Sequence, residues 1–265
     1  MALKQDILSE NKDYWAQRAP TYSEVNQAEL STQSRVVWRH TICEQIRAHF
    51  PDRQPRELRV LEVGTGPGFF AIILTEAGYR VTAVDLTPNM LAEAKKNAGA
   101  LAGEIEFLEM NAEALSFADE SFDVIVTRNL TWDLPHPENA YREWHRVLKP
   151  HGLLLNFDAN WYRYLFDERA LAGYEEDRQN VAEHGIKDEG IGENFDIMED
   201  IARRIPLSRI VRPAWDTRVL SGIGFKVETD ERIWERVWTE GEKLNFASTP
   251  MFLIRAIKRE ESNNG

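Results

Sequence analysis

The chain has 265 residues, 43% of them apolar and 29% charged, enough for one α/β domain with a modest addition. Its net charge of −12 argues against nonspecific nucleic-acid binding, which needs a basic footprint, and it holds no apolar run long enough to read as a membrane span. One cysteine, Cys43, excludes an internal disulfide, and the opening Met-Ala-Leu-Lys-Gln-Asp lacks the apolar core of a secretion signal, so a cytoplasmic setting is expected.

Residues 10–50 read as helices broken around Pro20, with Cys43 as a small core residue in the run from Ser31 to Phe50. Pro51–Pro55 is a polar linker. A strand–helix alternation then begins. Leu58–Val63 is a short apolar run ending at glycines, hence a buried strand. Phe69–Ala77 reads as a helix stopped by Gly78, and Arg80–Asp85 as the next strand. Pro88–Leu101 is helical, with Thr87 at its N-cap. Ile105–Leu108, Phe122–Thr127 and Leu153–Phe157 are further strands, and Glu138–Leu148 is a helix. Trp215–Ile223 is a late helix; Phe225–Ile233 and Met251–Ile257 form a hairpin-like edge pair joined by a long loop.

This alternation predicts a Rossmann-like, doubly wound, mostly parallel α/β sheet of seven strands with N-terminal helices and a helical cap insertion. The expected parts are N-terminal helices over 1–54, the core over 55–160 and 214–260, and a cap over 161–213. Ligands in such sheets bind beyond the carboxyl ends of the strands.

The chemistry concentrates in Leu61-Glu62-Val63-Gly64-Thr65-Gly66-Pro67-Gly68. Glycines directly after a buried strand let the backbone pass close under a ligand, and a helix N-terminus follows with free N–H groups. Asp85 ends the second strand, placed for a ribose diol. These features also fit a dinucleotide site. A dinucleotide fingerprint, however, wants its third glycine at position 69, which is Phe69.

The Gly-x-Gly-x-Gly spacing after an acid resembles motif I of class I S-adenosylmethionine-dependent methyltransferases, of the type 11 kind. Four further segments match that family in order. They are Asp85-Leu86-Thr87-Pro88-Asn89-Met90-Leu91, Asn111-Ala112-Glu113-Ala114-Leu115, Phe122-Asp123-Val124-Ile125, and Arg146-Val147-Leu148-Lys149-Pro150-His151-Gly152. Asn111 stands where the family usually has Asp, and His151 where it has Gly. The resemblance covers about residues 55–160.

It implies S-adenosylmethionine as cofactor. Glu62 would sit near the methionine end, and Gly64, Thr65, Gly66 and Gly68 would form the floor. Asp85 would hold the ribose hydroxyls. Leu86 would pack on the adenine, as would Met90 unless Met90 is plain helix packing. Asn111, Ala112 and Glu113 would face the adenine edge. Arg128 and Asn129 would bring backbone to the sulfonium end. The run Tyr14-Trp15-Ala16-Gln17-Arg18-Ala19-Pro20-Thr21-Tyr22 resembles the helix that closes over the cofactor in this family. Tyr14 and Tyr22 are either closure residues or core.

Methyl transfer from a sulfonium needs alignment and exclusion of water more than acid–base chemistry. Two loops should border the acceptor: Leu130–His136, and Asp158-Ala159-Asn160-Trp161-Tyr162. Asp158 and His136 are the base candidates, each with a structural alternative. Trp132, Asn160, Trp161 and Tyr162 are the acceptor-binding candidates, the tryptophans being either cavity wall or core. No metal-ligand set is read from the sequence. Between Asp167 and Asp200 stand twelve Asp or Glu against three Lys or Arg. That charge is either a solvated face or a field that favours a cationic acceptor.

A small-molecule acceptor is expected, since the Asn-Pro-Pro-aromatic signature of amino methylases is absent. A protein or RNA acceptor, a non-catalytic cofactor-binding module and a nicotinamide-dependent oxidoreductase are the rival readings.

Overall fold

A computed structural model describes residues 6–189 and 194–260. Four residues of the expected cap, 190–193, and the last five of the polar tail lie outside the described residues.

Two helices lead the chain, α1 (Ile7–Ser31) and α2 (Gln33–His49). The expected break at Pro20 does not occur; Pro20 lies inside α1. Proline withdraws the N–H that would serve the carbonyl four residues earlier. Here Asn89 Nδ2 donates to that Ala16 oxygen at 3.0 Å, so the helix continues. The chain breaks instead at Thr32, whose backbone is extended.

The alternating core follows as β1 (Arg59–Val63), α3 (Phe69–Glu76), β2 (Arg80–Asp85), α4 (Pro88–Ala98), β3 (Glu106–Glu109), β4 (Phe122–Arg128), α5 (Pro137–Val147) and β5 (Leu148–Asp158). α4 stops short of the expected Leu101, because Gly99 turns the chain at φ +53° into a 3-10 segment. β5 begins at Leu148 rather than Leu153 and absorbs the Lys149–Gly152 turn, which leaves a register irregularity against β4. His151 takes the left-handed conformation there, φ +60°, in the place where the family resemblance puts a glycine.

The cap holds α6 (Glu168–His184) and α7 (Phe195–Ala202), and α8 (Ala214–Ile223) returns to the core. β6 (Phe225–Asp230) ends three residues earlier than expected. The loop after it contains two short helices, α9 (Trp234–Val237) and α10 (Glu240–Asn245), before β7 (Phe252–Lys258).

The seven strands form one sheet in the order β3-β2-β1-β4-β5-β7-β6. β1 to β5 pair in parallel, and β7 runs antiparallel to both β5 and β6. This is the doubly wound, mostly parallel sheet expected from the sequence. Helices cover both faces, so the central strands are buried almost throughout. On one face Trp38 of α2 meets Phe70 and Phe157 at 5.1 Å between ring centroids. On the other, Tyr141 and Trp144 of α5 and Leu220 of α8 are fully buried. Truncating an aromatic at such a place costs about 3–5 kcal/mol. Trp144 also reaches the ligand side, donating from Nε1 to the Ala112 carbonyl at 3.1 Å.

The strand order reverses between β1 and β4. At that point the connections leave to opposite sides, and a crevice opens beyond the carboxyl ends.

Candidate active site

A cleft of about 990 Å³, its open mouth included, fills that crevice. Its floor is the turn after β1. Glu62, Gly64, Thr65 and Gly66 line it, with Asp85, Leu86 and Met90 from the end of β2 and the start of α4, and Asn111 and Ala112 beyond β3. Gly66 has φ +51°, and a Cβ there would point at the Tyr22 ring at 3.6 Å. Gly68 does not line the cleft. A Cβ on it would stand 3.0 Å from Ala94, so this glycine serves the close approach of α4.

Two carboxylates shape the floor. Asp85 accepts from the Gly66 and Thr87 N–H groups, each at 2.9 Å, which ties the glycine turn to β2. Burial raises its pKa, and those two amides oppose the rise. Glu62 is more strongly perturbed. Burial lifts its pKa to about 8, against the Thr65 hydroxyl, which donates to it at 2.6 Å, and the Ala71 amide. A buried carboxyl that gives up its charge this readily suits a cationic neighbour, which would restore it.

Asn111 spends its side-chain oxygen on the Glu113 amide at 2.9 Å. Glu113 itself does not line the cleft. It accepts from the His136 backbone at 2.6 Å and meets the His136 ring at 3.1 Å. The two expected site residues thus pair with each other, where Glu113 caps the entrance to α5.

The roof is α1. Leu8, Asn11, Lys12, Trp15, Tyr22 and Asn26 line the cleft from one helical face. The sequence reading missed Trp15, although helical periodicity was the available signal: positions 8, 11, 12, 15, 22 and 26 share one stripe. Tyr14 falls on another face. It lines neither cavity and packs with Trp132, Met198, Ile201 and Ile205.

Long-range bonds hold the roof down. Asp133, in the loop after β4, accepts from Trp15 Nε1 at 2.6 Å and from Asn11 Nδ2 at 2.9 Å. Burial raises its pKa to about 7 despite those donors. Arg128 makes a bidentate pair with Glu29 at 2.7 and 2.9 Å and lies over the rings of Phe69, Phe70 and Trp38. Its side chain therefore anchors α1.

A second cavity, about 860 Å³ with its mouth, lies under the cap. Trp15, Tyr22 and Asn129 border both cavities. Trp132, Trp161 and Tyr162 line the second one, together with Tyr164, Tyr174, Phe195 and Phe246, which the sequence reading did not single out. Asn129 sits at the junction at φ +55°. Its side chain hydrogen-bonds the Tyr22 hydroxyl, and its Oδ1 is buried with no hydrogen-bond partner among the described residues.

The two base candidates stand elsewhere. Asp158 has no exposed surface and lines neither cavity. It accepts from Arg212 Nη1 at 2.6 Å, from the Trp132 amide at 3.0 Å and from the Ala159 amide at 2.9 Å. Arg212 also binds Asp216, which takes the Tyr141 hydroxyl. Asp158 thus fixes the cap and the Trp132 loop to the sheet. Asn160 belongs to the same joint, exchanging two 3.0 Å bonds with the Arg212 backbone. His136 has 69% of its side chain exposed and lies outside both cavities.

Comparison with known proteins agrees with this geometry. Residues 61–156 match the family described as "Methyltransferase domain". A demethylmenaquinone methyltransferase of Chlorobaculum parvum is 36% identical over 135 residues, 51% of this chain and 53% of that protein. The match thus spans about half the length of that relative. Solved structures of similar fold include the YcgJ protein from Bacillus subtilis, with a TM-score of 0.51, 20% identity, and 82% and 98% of the two chains covered. Haemonchus contortus phosphoethanolamine N-methyltransferase 2, solved with S-adenosyl-L-methionine, gives a TM-score of 0.54 at 16% identity, covering 82% and 52%. The segment matched to that family, Leu61 to Asn156, carries the glycine turn and the strands β2 to β4 that border the first cleft.

Proposed function

We propose that the chain transfers a methyl group from S-adenosylmethionine to a small-molecule acceptor, with the cofactor in the first cleft and the acceptor in the second cavity. The observation that carries this reading is the junction. Two cavities of ligand size meet at Trp15, Tyr22 and Asn129, beyond the carboxyl ends of β1 and β4.

The residues present suit the cofactor. Asp85 at the end of β2 would hold the ribose, Leu86 and Met90 would pack on the adenine face, and Asn111 and Ala112 would meet its edge, all five lining the cleft. The Gly66 turn leaves room for backbone contact, and Glu62 is ready to become charged beside an ammonium group. The cofactor would supply a methyl already activated on a sulfonium. The work left to the chain is alignment and exclusion of water. Trp15 and Tyr22 divide the two ligands, and the bonds from Asp133 and Arg128 hold α1 closed above them. The cap, residues 161–213, acts as a lid over the acceptor.

No base is assigned to Asp158 or His136; the first is tied to Arg212 and the second lies outside both cavities. An aromatic cavity under a cap favours a small molecule over a protein or nucleic-acid strand. The reduced, buried Cys43 suits a cytoplasmic setting, and no described helix is long and apolar enough to cross a membrane.

The test is to feed labelled methyl donor to a cell extract with the purified protein. Label should enter the small-molecule fraction. Label in protein or nucleic acid, or no transfer at all, would refute the reading.

A further inference from the structure

We infer that the acceptor is an organic amine, recognised in the second cavity by aromatic faces and two carboxylates. This rests on the reading of that cavity as the acceptor site.

The first observation is the wall. Trp132 and Tyr162 face each other at 5.0 Å between centroids, and Tyr164 stacks on Tyr174 at 4.3 Å. Trp161 meets Phe246 edge-on at 5.3 Å. Ring faces carry negative quadrupole charge, and a cation among several of them is attracted to each.

The second observation is charge. Asp177 and Glu189 line the cavity, and no Lys, Arg or His does so among the described residues. Asp177 is buried and uses one oxygen for the Ser248 amide and hydroxyl, at 3.0 and 2.6 Å. Arg178 lies over the Tyr174 ring at 5.1 Å from its centroid, and its guanidinium is paired with Asp188 and the Asn245 carbonyl. Glu29 and Glu242 add to the negative field at Glu189, while Lys187 and Arg178 subtract from it. At the junction, Asn129 Oδ1 and the Tyr22 hydroxyl offer acceptor atoms to an N–H group.

The chemistry fits this lining. The amine lone pair forms the new nitrogen–carbon bond as the methyl's bond to sulfur breaks, and that bond's electron pair goes to sulfur. Positive charge thus moves from sulfur to nitrogen, into the aromatic and acidic cavity. Preorganised negative potential where positive charge arrives favours the transfer. A phenolate or other anionic acceptor would meet two carboxylates and no cation. The similar protein of Chlorobaculum parvum is named a demethylmenaquinone methyltransferase. Most of this lining, from Trp161 through Phe246, lies outside the matched segment 61–156.

The test uses two probes of one shape, benzyltrimethylammonium and its neutral carbon isostere neopentylbenzene. Each is titrated by calorimetry into the full chain saturated with adenosylhomocysteine, whose own binding is measured first. The ammonium should bind at least about tenfold more tightly than the isostere, and Glu189→Gln should remove several-fold of that preference. Equal affinities, tighter binding of the isostere, no binding of either, or an unchanged preference in the variant would overturn the inference. Failure of adenosylhomocysteine to bind would instead strike the proposed function.

Discussion

The floor of the first cleft and the roof above it are built on different principles. The floor is local. Glu62 to Gly66 form one turn, and Asp85 closes it through amides at positions 66 and 87. The roof is assembled from far apart: Asp133 bonds Asn11 and Trp15, 122 and 118 residues away, and Arg128 bonds Glu29, 99 residues away. A site whose floor is prepaid by local turns can bind a common cofactor, while its roof and cap are free to vary with the acceptor. Perturbing the floor should therefore abolish cofactor binding, and perturbing the roof or cap should chiefly change turnover.

The largest effect is expected at Gly66→Val. A branched side chain at φ +51°, aimed at Tyr22, strains the turn and fills the ligand's space. Calorimetry with adenosylhomocysteine should show no binding by the folded variant. Normal affinity would remove the turn from the site.

Replacing residues 168–200 with a Gly/Ser linker probes the cap. Arg212 is kept, because its removal would strand the buried Asp158 and Asp216 at a cost of about 3–5 kcal/mol. Cofactor affinity should stay within a few-fold, while turnover falls by about a hundredfold or more as alignment is lost. Normal turnover by the truncated enzyme would end the lid reading.

Asp133→Ala tests the roof more gently. Two hydrogen bonds from α1 are lost; Asn11 keeps its bond to the backbone carbonyl at position 133, but the Trp15 donor loses its partner, costing about 1–3 kcal/mol. Chemical denaturation should report that loss, and turnover should fall more than cofactor affinity does.

How much of this was legible in sequence follows the same division. Periodicity, glycine spacing and the acid at the end of β2 revealed the mostly parallel sheet and most of the floor, because each signal lies within a few residues. The helix through Pro20 was hidden, since its rescue comes from Asn89 on another element. Asp158 looked like a base because strand-end acids border such sites. Only the fold brings Arg212 against it, 54 residues later in the chain. Gly68 looked like floor, but its partner Ala94 lies on α4. The aromatic wall under the cap has no motif, because its residues converge from several loops and helices.

A smaller effect is expected from pH. Glu62 titrates at about 8 in the folded chain against 4.5 ordinarily, and Asp133 at about 7 against 3.8. Both values are raised, so the folded chain holds more protons than the unfolded chain between roughly pH 4 and 8. The stability these groups contribute is full below about pH 4 and falls as pH rises from there, the loss being complete once pH passes the folded values of about 7 and 8. Glu62→Gln cannot lose that proton. The melting temperature of the ligand-free variant, relative to wild type, should therefore rise between pH 5 and 8.5. A constant difference would mean that Glu62 stays ionised throughout.

The most direct test of the central claim is the melting temperature with and without adenosylhomocysteine. A ligand that binds only the folded chain stabilises it by about 2.7 kcal/mol at a hundred times its dissociation constant. Wild type should shift upward with ligand concentration. Asp85→Ala should need about tenfold more ligand for the same shift, having lost a charged hydrogen-bond partner for the ribose. No shift of wild type at millimolar ligand would contradict the assignment of the cleft.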